Sequence, residues 1–173
     1  MIEHVGNTPI VKFKVDGVTI LGKAEFLNPS GSVKDRLVSR VITEAEERGL
    51  IFQGDTLVDA TSGNTGIAFA MFAALRGYKM KIVMPSNMSE ERKQMFKYYG
   101  AELIEVGAGD FEGAIVVRDQ LAEEHGWFNC NQFHTQWNID AHYDTTGPEI
   151  RKEVDASDWI PQAFVAGTGT GGT

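Results

Sequence analysis

The stretch TLVDATSGNTGIAFAMFAALRGYKMKIVM, residues 56–84, carries the pattern on which the fold depends. Its two ends are short apolar runs typical of strands, and residues 64–76 between them have the length of a helix. Gly77 is suited to end that helix, because glycine readily adopts the left-handed backbone found after helix C-termini. Residues 67–75 are apolar nearly all round, so we expect the helix to be deeply buried. The stretch therefore predicts a strand–helix–strand unit with parallel strands.

The same alternation continues on both sides of this unit. Upstream, Asp16-Gly17 predicts a hairpin, and a helix follows it. Downstream, two more helices end at Gly100 and Gly126. Short strands alternating with helices indicate an α/β fold, with parallel sheets covered by helices. Outside residues 56–84, the predicted strands are 9–15, 18–26, 102–106, a weaker 127–130 and 162–166, and the predicted helices are 34–48, 89–99 and 110–125.

Charge, cysteine content and the length of apolar runs exclude several classes of protein for this chain. The 173 residues carry a formal net charge of −8, which argues against non-specific nucleic-acid binding. A single cysteine, Cys130, allows no internal disulfide and fits a reducing compartment. The first residues show no basic segment followed by an apolar run, so we expect no signal peptide, and the most apolar run, residues 66–75, is too short to span a bilayer. We therefore expect a cytoplasmic protein with no nucleic-acid or membrane partner. Because a glycine loop ends the chain, we also expect a fragment of a longer protein.

Lys34 occupies an unusual place at the predicted start of a helix. In NPSGSVKDR, residues 28–36, Ser32 is a suitable N-cap and Asp35 its capping-box partner. The helical spacing puts Lys34 on the same inward face as Val38. Burial and the helix dipole both favour the neutral amine, which Schiff-base chemistry requires. Taken alone, the pattern also fits a lysine whose charged end reaches solvent.

Polar residues follow three of the predicted strands. The loop TSGNTG, residues 61–66, brings hydroxyls and bare amides to a helix start, where an anion can bind. The terminal loop GTGTGGT, residues 167–173, suits a phosphate, and Gln132 follows the strand 127–130. Because parallel strands end at one edge of a sheet, these groups should meet there. An amine, a carboxylate site and a phosphate site together suggest pyridoxal 5′-phosphate. A capped turn and a flexible tail are the alternatives for the two loops, and the four histidines show no metal-ligand spacing.

Five motifs, in this order along the chain, resemble those of the cysteine synthase (O-acetylserine sulfhydrylase) family. They are GNTP (6–9), NPSGSVKDR (28–36), TSGNTG (61–66), DTTGPE (144–149) and GTGGT (169–173). The resemblance implies the tryptophan-synthase-β-like fold of pyridoxal-phosphate enzymes, fold type II, with the large domain incomplete. Residues 37–140 would form a small mobile α/β domain. Residues 1–36 and 141–173 would belong to the large domain.

The resemblance also implies roles for individual residues. Lys34 would bind the cofactor covalently and then remove the substrate α-proton, and Asn64 would bond the ring hydroxyl. The substrate carboxylate would be held by Thr61, Ser62, Gly63, Thr65 and Gln132. The cofactor phosphate would be held by Gly169, Thr170, Gly171, Gly172 and Thr173. No metal is implied.

The implied reaction is a β-replacement on O-acetylserine that releases acetate and adds sulfide, giving cysteine. The segment His134 to Trp137 departs from the family pattern and leaves the sulfur donor open: sulfide, thiosulfate or another thiol. The family also implies a homodimer, and binding of the C-terminal tail of serine acetyltransferase. Thr65, where the related dehydratases carry histidine, disfavours dehydration. A cystathionine β-synthase-like replacement on serine and a truncated, non-catalytic binding module remain alternatives.

Overall fold

The computed structural model describes residues 2–173. The strands are β1 (Ile10–Val15), β2 (Val18–Lys23), β3 (Thr56–Ala60), β4 (Lys79–Pro85), β5 (Glu102–Val106) and β6 (Phe128–Asn129). The α-helices are α1 (Lys34–Glu47), α2 (Asn64–Arg76), α3 (Glu90–Tyr98), α4 (Phe111–His125), α5 (Gln136–Ala141) and α6 (Gly147–Asp155). Two 3-10 turns, Ile2–His4 and Glu25–Leu27, and a π-helical turn, His142–Thr146, complete the regular structure of the described part. No helix within residues 2–173 combines the length and the apolar character needed to cross a membrane.

The main sheet has four parallel strands in the order β5-β4-β3-β6. From β3 the chain runs outward through β4 to β5, and then returns to place β6 on the other side of β3. The direction of winding thus reverses between β3 and β6. In open α/β sheets, ligands bind outside the carboxyl ends of the strands at such a reversal.

Helices cover both faces of this sheet. On one face, α1 and α2 contribute fully buried Leu37, Phe69 and Phe72 to the larger apolar core. On the other face, Ala114 of α4 packs against Val58 and neighbouring sheet residues in a smaller core. The predicted α/β class with helix-covered parallel strands is therefore confirmed. Deep burial of α2 is confirmed as well, and Gly77 ends that helix in the left-handed conformation.

The hairpin β1–β2 forms a separate antiparallel sheet around Asp16 and Gly17, as predicted. Its second strand ends at Lys23, three residues earlier than expected, because residues 25–27 form a 3-10 turn. That turn presents Glu25 to Arg36, whose Nε and Nη2 each lie 2.7 Å from a Glu25 carboxylate oxygen. Residues 25–27 thus form a turn rather than the end of β2, and this turn allows Glu25 to make two hydrogen-bonded contacts with Arg36 of α1.

Arg36 is also the point at which three of the five sequence motifs meet. Its guanidinium is almost fully buried and forms a second two-bond pair with Glu149, both at 2.7 Å. Its Nη2 donates to the Thr8 hydroxyl at 3.2 Å. At Gly6 a Cβ would come within 2.9 Å of both Arg36 and Glu149, so glycine is needed for this approach. The network joins the N-terminal segment, α1 and α6.

Two local predictions were wrong. Asp35 does not form a capping box with Ser32; its carboxylate accepts hydrogen bonds from the backbone and hydroxyl of Ser30 instead. Helix α1 begins one residue later than that box requires, with Val33 as N-cap. The strand expected over 162–166 is an exposed irregular segment, because no strand of the described chain pairs with it.

Candidate functional site

The loop of residues 61–66 lies at the carboxyl end of β3, beside the point where the winding reverses. It leaves the sheet with a hydrogen bond from the Thr61 amide to the carbonyl of Val83, 3.1 Å long. Gly63 is the extended N-cap of α2, and no side chain of residues 2–173 caps this helix end. The first amides of a helix lack intrahelical partners and carry the positive end of the dipole. The loop is therefore suited to bind an anion, as predicted from its composition.

Close packing explains one of the two glycines in this loop. A Cβ at Gly66 would lie 2.7 Å from the methyl group of Thr61 and 2.9 Å from the ring of Phe96. Helix α2 can therefore begin directly against Thr61 only with glycine at position 66.

Thr65 and Gln132 come together, although they are 67 residues apart in the chain. The Thr65 hydroxyl donates to Gln132 Oε1 at 2.7 Å, and Gln132 Nε2 donates to the Ala60 carbonyl at 3.3 Å. Both side chains are buried. The prediction that the loop after β3 and the residue after β6 share one edge is thus correct. While this bond is present, the Thr65 hydroxyl hydrogen cannot also donate to a substrate carboxylate.

Lys34 is the first residue of α1 and is half-buried. Its backbone amide donates to the Ser32 hydroxyl at 3.2 Å. Burial lowers the pKa of the Lys34 amine from its ordinary value, because the charged form is harder to desolvate. Val38, on the same helix face, is fully buried. Lys34 therefore lies on the inward face of α1, as its spacing from Val38 predicted, but its side chain is only partly buried.

His142 is a buried neighbour of Lys34 that sequence reasoning did not identify. Its Nδ1 lies 2.9 Å from the Thr146 hydroxyl, and its Nε2 lies 3.4 Å from the hydroxyl of Thr173. Burial, together with the positive charges of Lys34 and Arg36, lowers the pKa of His142. These surroundings thus disfavour the protonated imidazole, which contacts the last residue of the glycine loop. No pattern of metal-ligand or triad spacing marks His142 in the sequence.

Asn138 in α5 is the second residue that the sequence did not reveal. Its Nδ2 donates to the Gln132 carbonyl at 3.2 Å and to the Thr170 hydroxyl at 2.8 Å. Gly172 lies flat against the same amide, where a Cβ would approach Asn138 Oδ1 to 2.3 Å. Asn138 therefore links the glycine loop to the residue after β6, which places both at one edge.

Other predicted site residues make fewer contacts. Asn64 is exposed at the start of α2, and its side chain has no hydrogen-bond partner within residues 2–173. Neither does Ser62, which is partly buried in the same loop. Across Gly169–Thr173, no backbone amide donates a hydrogen bond within the described chain. These amides are free to donate to an anion.

Comparison with known proteins gives a family for this arrangement. The model of the family described as "Pyridoxal-phosphate dependent enzyme" matches residues 1–173. A cysteine synthase of Staphylococcus aureus (strain Mu50) is 45% identical over 174 residues, covering 98% of this chain and 56% of the relative. Cysteine synthase B of Escherichia coli (strain K12) is 47% identical over 176 residues, covering 99% and 57%. The chain thus spans little more than half the length of these relatives.

Solved structures agree with this result. The crystal structure of an O-ureido-L-serine synthase superposes with a TM-score of 0.86 at 40% identity, covering 90% of this chain and 50% of that one. A hydrogen sulfide-producing enzyme from Fusobacterium nucleatum superposes with a TM-score of 0.83 at 42% identity, covering 89% and 52%. The architecture is that of fold type II, with about half of the complete structure present. With a match over its whole length, the chain belongs to the pyridoxal-phosphate dependent enzyme family.

Proposed function

We propose that this chain carries part of a cysteine synthase. The reaction is a β-replacement on O-acetylserine, in which acetate leaves and sulfide or another sulfur donor adds. The observation that carries the proposal is the half-buried Lys34 amine, whose pKa is lowered by burial and whose charge acts on His142, while His142 in turn contacts Thr173 of the glycine loop. The similarity to cysteine synthases over nearly the whole chain supports it.

The residues present fit pyridoxal phosphate in their chemistry. Lys34 offers an amine for the aldehyde, and Asn64 an amide for the ring hydroxyl. The unpaired amides of Gly169–Thr173 offer donors to the phosphate. The absence of a side chain at Gly172 lets the loop lie against Asn138. When bound, the cofactor supplies an electron sink for the substrate α-carbon.

The loop after β3 binds the substrate carboxylate in this proposal. Thr61, Ser62 and Gly63 offer hydroxyls and amides at the uncapped start of α2. Thr65 and Gln132 join them after their mutual hydrogen bond opens, since that bond occupies the Thr65 hydroxyl hydrogen. Carboxylate binding therefore carries the cost of the buried hydrogen bond between Thr65 and Gln132.

Lys34 is the proposed base for the substrate α-proton. A general base works best when its pKa lies near the working pH, and burial moves the pKa of Lys34 in that direction. Burial and nearby charges also lower the pKa of His142, which disfavours a second positive charge here, and this imidazole contacts Thr173 through Nε2.

The larger assembly is part of the same proposal. Residues 37–140 would be the mobile small domain, closing on residues 1–36 and 141–173 when the carboxylate binds. The complete protein would be a cytoplasmic homodimer whose active site also accepts the tail of serine acetyltransferase. Cystathionine β-synthase-like replacement on serine and a non-catalytic binding role are the competing functions. Assays with O-acetylserine plus sulfide, and with serine plus homocysteine, separate the first two.

Cofactor capture by Lys34 is tested directly by visible absorption. The purified chain is mixed with pyridoxal phosphate, next to Lys34→Ala and to Lys14→Ala, which removes an exposed lysine of the hairpin. We expect a protein-bound cofactor band in the wild type and in Lys14→Ala, and none in Lys34→Ala. Borohydride reduction followed by peptide mapping should place the label on Lys34. A band that survives in Lys34→Ala would refute the assignment, and its absence from the wild type would favour the non-catalytic role.

A further inference from the structure

The hydrogen bonds of Asn138 connect Gln132 to the glycine loop and also fix the orientation of the Asn138 amide. The side chain is buried, and both of its N–H bonds are used: one on the Gln132 carbonyl at 3.2 Å, the other on Thr170 Oγ1 at 2.8 Å. A carbonyl oxygen can only accept a hydrogen bond. The amide nitrogen must therefore face Gln132, which excludes the flipped orientation of the Asn138 amide.

This orientation determines the role of the Thr170 hydroxyl. Because Thr170 Oγ1 accepts from Asn138, its own hydrogen must point elsewhere. Among residues 2–173, none accepts a hydrogen bond from the Thr170 hydroxyl. Thr170 is thus held as a hydroxyl donor on a loop whose backbone amides are also unpaired. All these donors suit one anionic group.

The contact between Asn138 and the glycine loop depends on glycine at position 172. Its backbone lies so close to Asn138 that a Cβ would be 2.3 Å from Oδ1 and 2.8 Å from Nδ2. Asn138 Oδ1 is buried and accepts no hydrogen bond from the described residues. Both N–H groups of the Asn138 amide are bonded, whereas its buried oxygen has no partner. The position of this side chain is therefore explained by the two hydrogen bonds that it donates.

We propose that Asn138 is a positioning residue for the cofactor phosphate: it holds Thr170 as an acceptor, so that the Thr170 hydroxyl hydrogen is directed to the phosphate. The inference rests on the proposed function, because the anion is taken to be the phosphate of pyridoxal phosphate. Through its second bond to Gln132, Asn138 also makes the position of the phosphate depend on the residue after β6.

The test compares two probes, pyridoxal 5′-phosphate and pyridoxal, which lacks the phosphate. Affinities are measured by absorbance titration for the wild type, Asn138→Leu, Thr170→Val, Thr170→Ser and the Asn138→Leu/Thr170→Val double variant. We expect Asn138→Leu and Thr170→Val each to weaken pyridoxal phosphate binding about tenfold, since a hydrogen bond to a charged group is lost. Pyridoxal affinity should be unchanged, and Thr170→Ser should retain phosphate binding. The double variant should lose no more than Thr170→Val alone.

Each other outcome has a definite meaning. If Asn138→Leu weakens both probes equally, or if the two effects add in the double variant, Asn138 does not act through Thr170 and the inference fails. Thermal unfolding without cofactor shows whether Asn138→Leu folds. If Asn138→Leu does not fold, Thr170→Val decides alone: an unchanged ratio of pyridoxal phosphate affinity to pyridoxal affinity in this variant overturns the inference. A wild-type chain that binds neither probe overturns the proposed function as well, whereas equal affinity for both probes overturns only the phosphate role.

Discussion

Glu149→Gln should destabilise the chain by an amount that depends on pH. Glu149 accepts two hydrogen bonds from Arg36, each 2.7 Å long, and lies 3.0 Å from Lys23 Nζ. Although burial alone would raise it, the hydrogen bonds from Arg36 lower the pKa of Glu149 to about 2. Relative to the ordinary value of 4.5, this lowering corresponds to about 3 kcal/mol at neutral pH. Because the Glu149 side chain is 15% exposed, solvent screens part of this interaction. We therefore expect Glu149→Gln to lower the free energy of unfolding by about 2 kcal/mol at neutral pH.

The direction of the pH dependence follows from the lowered pKa. The stabilisation is complete above the ordinary pKa of the carboxyl and is lost as the pH falls toward the folded pKa. At about pH 3.5, the difference between the wild type and Glu149→Gln should be roughly 60% smaller than at pH 7. Urea unfolding followed by far-UV circular dichroism at both pH values measures this difference.

A variant on the same helix supplies the control. Asp155 pairs with Arg151 at 2.5 Å, but both side chains are mostly exposed. Asp155→Asn should leave the urea midpoint unchanged at either pH, because exposed ion pairs contribute little to stability. Equal loss of stability in the two variants, or a loss in Glu149→Gln that does not change with pH, would refute the electrostatic reasoning.

Three further predictions concern the site and its surroundings. Thr65→Val should lower the free energy of unfolding by about 1–2 kcal/mol, because the Gln132 acceptor stays buried without its donor; unchanged chemical denaturation would contradict this. Gly172→Ala should weaken pyridoxal phosphate binding because its Cβ would strike the Asn138 amide, whereas Gly167→Ala, which meets no atom within 4 Å, should not; cofactor titration of both variants decides. Burial, together with the nearby Asp59 carboxylate, raises the pKa of Cys130, so Ellman's reagent should modify this thiol only after unfolding; rapid labelling of the folded chain would show otherwise.

The sequence was most informative where local geometry and burial act together. Gly77 and Gly126 both end helices in the left-handed conformation, as their positions directly after predicted helices indicated. Helix α2 is apolar nearly all round and is buried accordingly. Thr65 and Gln132 could be placed together because the carboxyl ends of parallel strands share one edge, a rule that needs no side-chain detail.

Prediction failed where the partner of a side chain is chosen by tertiary structure. Asp35 has the spacing of a capping-box residue, yet the turn before α1 places Ser30 within its reach instead. The apolar residues 162–166 fit a strand, but a strand also needs a neighbour, which periodicity cannot supply. Asn138 and His142 carry no local signal, because their importance lies in contacts with the glycine loop about thirty residues later.

The ion-pair network around Arg36 has a consequence for synthesis of the chain. The Ile10 amide bonds Glu153 across 143 residues, and Arg36 bonds Glu149 across 113. During translation the hairpin and α1 leave the ribosome long before α6 exists, so Arg36 can pair with Glu25 but must wait for most of the chain before Glu149 is available. Contacts this distant close late and slow folding. The apolar side chains of Val11 and Phe13 keep 43% and 46% exposure even in the folded chain, so they and the strand edges of the hairpin are accessible to chaperones and to other nascent chains before and after α6 is made.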